Sequence, residues 1–215
     1  MQSSLPILYS FRRCPYAMRA RMAILLCGKV VRLREIILRD KPKDMLKASP
    51  KGTVPVLVLP NGEVIDESLS VMAWAIGDGF ANLASPSNDE RALVERNDGP
   101  FKHDLDRYKY PNRYQDVDAL SHRAAGADFI SLLNDRIKKT GGLSSSESIF
   151  GDIAIFPFIR QFRIADPTWF DANTWPDVHA WLERHINSDL FVRAMKKYPL
   201  WNDTGEEFIF GADEN

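Results

Sequence analysis

Two strand-like runs flank one helical run near the start of this chain, at residues 6–11, Val30–Leu38 and 15–27, and together they make a βαβ unit. No other feature of the sequence restricts its fold as much. In the second strand Arg32 and Arg34 alternate outward. Lys41 to Lys47 supplies a short helix after Pro42, and Val54–Leu59 reads as a strand. Pro60-Asn61-Gly62 then turns the chain into a short strand at Glu63–Ile65. Helix resumes near Ser68 and runs through Val71, Met72, Trp74 and Ala75.

The order βαβαββα is the thioredoxin-like arrangement, so residues 1–78 are expected to form an α/β domain of that kind. Asp78 to Asn88 is rich in Gly, Ala, Asn, Ser and Pro, and residues 79–87 read as a linker. Residues 88–215 are expected to form an all-α domain, with helices near 88–109, 117–139, 150–163, 176–187 and 189–197. Pro100 and Pro157 each kink a helix rather than end it, because apolar periodicity continues on both sides.

Within the βαβ unit, Cys14-Pro15 falls where the strand ends and the helix begins. Pro15 suits the first helical turn, since its φ is preset and its missing N–H has no partner there. Cys14 is then the N-cap. Its sulfur faces the positive end of the helix, with Arg12 and Arg13 adjacent, and this setting favours thiolate over thiol. A small apolar filler has no need of that context, so Cys14 is read as a nucleophile. Cys27, the other of the two cysteines, lies at the far end of the same helix, about 20 Å away, and is read as structural. Such a chain fits a reducing compartment.

Charge and composition exclude several classes. Residues 1–77 contain twelve Lys/Arg against six Asp/Glu, and the remainder sixteen against twenty-three, so the two parts carry +6 and −7. A basic first part attracts a small anion. Its arginines are not interleaved with exposed aromatics and match no nucleic-acid motif, so no nucleic-acid partner is expected. No apolar stretch approaches the length needed to span a bilayer, and the N-terminus reads as no signal peptide. No membrane association and a cytoplasmic location are therefore expected. His103, His122, His179 and His185 share no metal-ligand spacing, so no metal is expected.

Further features converge on Cys14 if the topology is thioredoxin-like. Pro55 is then expected to be cis, which turns the Val54 backbone toward the cysteine, where a peptide could pair as an added strand. Asp66-Glu67-Ser68 opens the third helix, where N–H groups, the dipole and a hydroxyl suit a carboxylate and Glu67 suits an ammonium group. A plain helix cap explains those three residues equally well locally. Together these groups would hold a short peptide with a carboxylate and an amine at one end and a thiol delivered to Cys14. Glutathione has that description.

The chain resembles the cytosolic glutathione transferases, most closely their omega-like, cysteine-type group. The motifs are Tyr9-Ser10-x-Arg12-x-Cys14-Pro15, Thr53-Val54-Pro55-Val56-Leu57 and Glu67-Ser68. Phe150-Gly151-Asp152-Ile153-Ala154 adds a resemblance to the family's helix-capping segment. The resemblance implies that Cys14 forms a mixed disulfide with glutathione and that Val54 pairs with the tripeptide. It also implies that Glu67 and Ser68 hold the γ-glutamyl end and Lys41 the glycyl carboxylate, in a homodimer.

Two departures stand out. Ala17 sits where dithiol relatives of the fold have a second cysteine, so glutathione itself must resolve the intermediate. Ile149 sits where a Ser or Thr usually caps the helix, which leaves that capping box incomplete at a cost of about 1 kcal/mol.

The expected activity is glutathione-dependent thiol transfer or dehydroascorbate reduction. Conjugation of glutathione to electrophiles through Tyr9 or Ser10 is one alternative, and a non-enzymatic adaptor is another. Tyr16 and Tyr108 are the candidate contacts for a small-molecule or protein-thiol second substrate, against a reading of Tyr108 as aromatic packing. The sequence leaves open whether the acidic tail from Gly205 to Asn215 is ordered.

Overall fold

A computed structural model describes residues 5–77, 86–144 and 149–212. In chain order its elements are β1 (Ile7–Ser10), α1 (Pro15–Leu26), β2 (Val31–Glu35), α2 (Lys43–Ala48), β3 (Val56–Val58), β4 (Val64–Ile65) and α3 (Ser68–Ile76). There follow α4 (Asn88–Arg96), α5 (Lys102–Lys109), α6 (Ala119–Thr140), α7 (Phe150–Ala165), α8 (Pro167–Asp171), α9 (Pro176–Ile186), α10 (Asp189–Ala194), α11 (Trp201–Thr204) and β5 (Phe208–Phe210). The chain divides into two compact units, residues 1–80 with 188–215, and residues 81–187. Apart from residues 86 and 87, the expected linker lies outside the described residues.

The first unit has the expected βαβαββα order and one addition. Its sheet runs β4-β3-β1-β2-β5, with β1 and β2 parallel and the other pairs antiparallel. The addition corrects the expected boundary, because the end of the chain belongs here rather than to a helical domain spanning 88–215. β5 pairs with β2 through Val31↔Phe210 and Leu33↔Phe208. Glu207 accepts from both Arg32 and Arg34, at 2.9 and 2.7 Å, and Phe210 is 2% exposed. The outward arginines of β2 thus find their counter-charge in the acidic tail. A three-residue strand is too short to announce itself by alternation.

α1 lies against α3 and α10 and is buried along almost its whole length. It carries two arginines into the interior, Arg19 and Arg21, both fully buried. A buried guanidinium is tolerated only when its N–H groups are satisfied. Arg21 donates to Ser10 Oγ at 2.8 Å, to the Ala194 carbonyl at 3.1 Å and to the Glu35 carboxylate. Glu35 also accepts from the Arg12 backbone N–H at 2.8 Å. One network therefore fixes β1, α1, β2 and α10, and with them the Cys14 corner.

In the second unit α4 opens with a complete capping box between Ser87 and Glu90. The chain then passes through a π-helical turn, Asn97–Phe101, into α5. That wider turn accommodates Pro100, so helix runs on from 88 to 109 as its periodicity predicts. Pro157 likewise lies inside α7. The core includes Phe101 packed on Phe129 and Phe162, with ring centroids 4.9 and 5.4 Å apart. Gly126 makes room for it, since a Cβ there would lie 2.5 Å from Phe162.

The expected deficit at the start of α7 is also corrected. Ile149 gives no side-chain cap, but Ser144 takes its place from the preceding segment. Ser144 Oγ accepts from the Asp152 N–H at 3.2 Å, and Asp152 accepts from the Ser144 N–H at 3.1 Å. The reciprocal box is thereby assembled in space rather than in sequence.

Candidate functional site

Cys14 is the N-cap of α1, with extended backbone angles, and Pro15 occupies the first turn as expected. The sulfur does not cap the helix by a hydrogen bond. It lies instead 3.8 Å from the Val54 carbonyl oxygen. Cys14 is half-buried at the rim of an apolar cluster of Tyr9, Ala17, Ile36, Met45, Val54 and Val56.

The Val54-Pro55 peptide is cis, as the topology predicts. Val54 precedes β3, and the β1–β3 register ends at Tyr9↔Val56, so its backbone is not used by that ladder. Lys41 reaches the same loop. A Cβ on Gly52 would lie 3.1 Å from Lys41 Nζ, and Gly52 has φ +63. Glycine here serves both the left-handed backbone and the close approach of the lysine.

The third component is the start of α3, with Glu67 as its N-cap. Glu67, expected to hold a ligand's ammonium, pairs in the structure with the ammonium of Lys51, at 2.7 Å. Lys51 also meets Asp66 at 3.2 Å, and Asp66 accepts from Ser49 Oγ at 2.8 Å. The Ser49 hydroxyl, together with Lys51, holds the Asp66 carboxyl below its usual range. Ser68 is buried and accepts from Arg19 Nη1 at 3.3 Å. The N-terminus of α3 thus has a guanidinium behind it and an acidic pair in front.

Sequence reasoning missed Ser49, Lys51 and Arg19. Lys51 and Ser49 meet Asp66 and Glu67 only because β3 and β4 fold back as a hairpin. Arg19 carried a readable signal, one of two cations with Arg21 within a mostly apolar α1, without an indication of its partner.

The two alternative hydroxyls are placed quite differently from the thiol. Ser10 is fully buried and occupied by Arg21. Tyr9 is 2% exposed, and its oxygen accepts from Arg34 at 2.5 Å. Burial pushes the Tyr9 phenol up, against the pull of Arg34.

Of the two proposed substrate contacts, the Tyr16 ring lies beneath the Arg19 guanidinium at 5.6 Å. The Tyr108 ring packs on Phe162 at 5.2 Å and Trp169 at 6.4 Å within the second unit, the aromatic packing weighed against a contact role. A cavity of about 760 Å³ lies elsewhere in the first unit, beside Leu25, Tyr198, Phe208 and Phe210. It includes none of Cys14, Val54 or Ser68, and reactive side chains mark the Cys14 corner more strongly than volume does.

Comparison with known proteins places the fold and the family. Residues 8–78 match the family model of the glutathione S-transferase N-terminal domain, and residues 92–184 that of the C-terminal domain. A "probable glutathione transferase" of Aplysia californica is 38% identical over 87 residues, covering 40% of this chain and 90% of that protein. Among solved structures, a glutathione transferase family member from Pseudomonas fluorescens Pf-5 with two glutathione bound superposes with a TM-score of 0.76. It is 15% identical and the match covers 91% of this chain and 94% of that one. The Tau class glutathione S-transferase of mango gives 0.73 at 21% identity, covering 91% and 94%. A Pseudomonas putida glutathione transferase with glutathione disulfide bound gives 0.72 at 16%, covering 91% and 92%.

Proposed function

Since the chain belongs to the glutathione S-transferase family, we propose that it is a glutathione-dependent thiol transferase of the cysteine type. The observation that carries this reading is the contrast among the three candidate groups. The Cys14 sulfur is half-buried at a helix N-terminus beside Val54, whereas the Ser10 and Tyr9 hydroxyls are buried and hydrogen-bonded to arginines. Conjugation would require one of those hydroxyls to steady a glutathione thiolate.

Glutathione would lie extended along Val54, with its γ-glutamyl carboxylate at the α3 N-terminus and Ser68. Its ammonium would compete with Lys51 for Glu67, and Lys41 would meet the glycyl carboxylate. The Cys14 thiolate attacks the glutathione sulfur of a mixed disulfide, forming the Cys14–glutathione bond and expelling the substrate as its thiolate. A second glutathione thiolate then attacks the bound glutathione's sulfur, giving glutathione disulfide and restoring Cys14. Dehydroascorbate reduction would draw on the same site, with glutathione supplying the electrons. We place the reaction in the cytosol, as a homodimer. No described helix is long and apolar enough to cross a membrane.

The test is intact mass after exposure to oxidised glutathione, comparing wild type with Cys14→Ala. One adduct on wild type, absent from the variant and removed by reduced glutathione, is the expected result. Glutathione binding without an adduct would shift the assignment to conjugation, and no binding would shift it to an adaptor.

A further inference from the structure

The second unit brings together two of the histidines that the sequence keeps apart. His103 and Asp104 lie on the first turn of α5 and His122 on the first turn of α6. Asp104 Oδ1 is 3.3 Å from His103 Nδ1 and 2.7 Å from His122 Nδ1, and the imidazole centroids are 5.4 Å apart. One donor atom from each residue lies within 4.8 Å of both others. We propose that His103, Asp104 and His122 form a binding site for a divalent transition metal ion, with zinc as its representative.

The geometry needs little adjustment. Metal–ligand bonds of about 2.1 Å in a tetrahedral site separate the ligand atoms by roughly 3.4 Å. The His103–Asp104 pair already stands at that separation. The His122–Asp104 pair opens by less than about 1 Å, and the two imidazoles close by about 1 Å or somewhat more. Two imidazoles and one carboxylate select zinc, cobalt, nickel or copper(II) over calcium and magnesium, which prefer all-oxygen sites. Three protein ligands leave further positions to water. Asp104 and His122 are largely covered, with side chains 18% and 22% exposed, while His103 at 53% leaves an entry path.

The neighbouring cations are turned elsewhere. Lys102 pairs with Asp106. Arg107 bonds the His103 carbonyl at 3.3 Å and stacks over Tyr114 at 4.4 Å. Arg123 covers Trp169 at 4.4 Å. The competing description is a purely hydrogen-bonded staple between α5 and α6, in which the imidazole N–H groups donate to Asp104. A metal ion would replace those protons, each imidazole keeping its remaining proton on Nε2.

The site is independent of the thiol chemistry and is tested apart from it. Zinc is titrated against a chromophoric chelator in full-length Cys14→Ser protein, which removes the accessible thiol, and cobalt is used for spectroscopy. One equivalent of zinc is expected. Substituting an outer-sphere partner of a metal site already costs about tenfold in affinity, so His122→Ala and His103→Ala should each weaken binding by about tenfold or more. The cobalt complex should show d–d absorption without a thiolate charge-transfer band. Circular dichroism and thermal melting of each variant establish that it is folded. Absence of stoichiometric binding, or undiminished binding by a folded His103→Ala/His122→Ala double variant, overturns the proposal.

Discussion

Replacing Asp152 by asparagine removes one charge at nearly constant shape, at a position where the structure sets the cost. Its carboxylate accepts from the Leu143 N–H at 3.0 Å, the Ser144 N–H at 3.1 Å and Trp181 Nε1 at 2.5 Å, with His185 Nε2 at 3.7 Å. Burial pushes the carboxyl up, but these donors, His185 foremost, outweigh burial and bring it down to about 2 from the ordinary 3.8. The gap means that the native state favours the charged form by roughly 2–3 kcal/mol more than the unfolded chain does. Both oxygens face N–H groups, so the amide nitrogen of Asp152→Asn meets a donor in either orientation. A loss of roughly 2–3 kcal/mol is expected at pH 7, measured by urea unfolding. Because the native value is depressed, wild type holds this stability fully above about pH 5. It loses that stability as pH falls toward 2, and the variant does not. The two stability curves should therefore converge in acid. A difference below about 0.5 kcal/mol at pH 7, or curves that stay parallel down to pH 2, would refute the assignment of Asp152 as a charged cap.

Three further outcomes are expected. Cys14→Ser should lower glutathione-dependent disulfide reduction by about a hundredfold or more while leaving the urea midpoint nearly unchanged; retained reductase activity would remove Cys14 from the mechanism. Glu67→Gln should raise KM for glutathione roughly three- to tenfold with little change in kcat, since in the proposed binding mode the group would hold the end of the tripeptide remote from the sulfur and it is well exposed; a fall in kcat alone would contradict that role. Phe210→Ala should destabilise the protein by about 3 kcal/mol, the usual cost of emptying a buried phenylalanine site, and a variant as stable as wild type would show that β5 is not integral to the first unit.

The fold was legible wherever the determining residues are neighbours in sequence. The strand-to-helix corner, Pro15 in the first turn of α1 and the passage of helix through Pro100 are settled by local geometry. Lys41, Val54, Glu67 and Ser68 came from resemblance and topology; the structure places Val54 at the cis peptide beside Cys14, Glu67 and Ser68 at the start of α3, and Lys41 against Gly52. The rest depended on return of the chain from a distance. Arg21 reads locally as a solvated charge on a helix, yet its partners Ser10, Glu35 and Ala194 come from three other elements. That network both buries Ser10 and fixes the corner. Ser144 carries no local cap signal because the helix it caps starts beyond the intervening segment. Glu207 was part of an acidic tail of unknown order until Arg32 and Arg34 gave it a counter-charge.

The placement of the two thiols constrains the chemistry more than the identity of the substrate does. Cys14 caps the start of α1 and Cys27 caps its end, so the helix holds the sulfurs about 20 Å apart. A disulfide needs Cα atoms within about 7 Å, and reaching that would unravel a helix packed against α3 and α10. Burial also pushes the Cys27 thiol up, which suppresses its thiolate. Ala17, the position one turn into α1 where a resolving cysteine would face Cys14, is fully buried in the same core. An oxidised Cys14 therefore has no partner thiol in its own chain within reach, and in the proposed mechanism external glutathione would have to complete each turnover. Under the proposed mechanism the reductase rate should depend on glutathione concentration at the resolving step, and Ala17→Cys should divert the Cys14–glutathione adduct to an intramolecular disulfide that expels the bound glutathione and that glutathione must then reduce. Intact mass after exposure to oxidised glutathione should then show the disulfide in place of the adduct, and a folded Ala17→Cys variant that keeps the glutathione adduct would show that position 17 does not face the Cys14 sulfur.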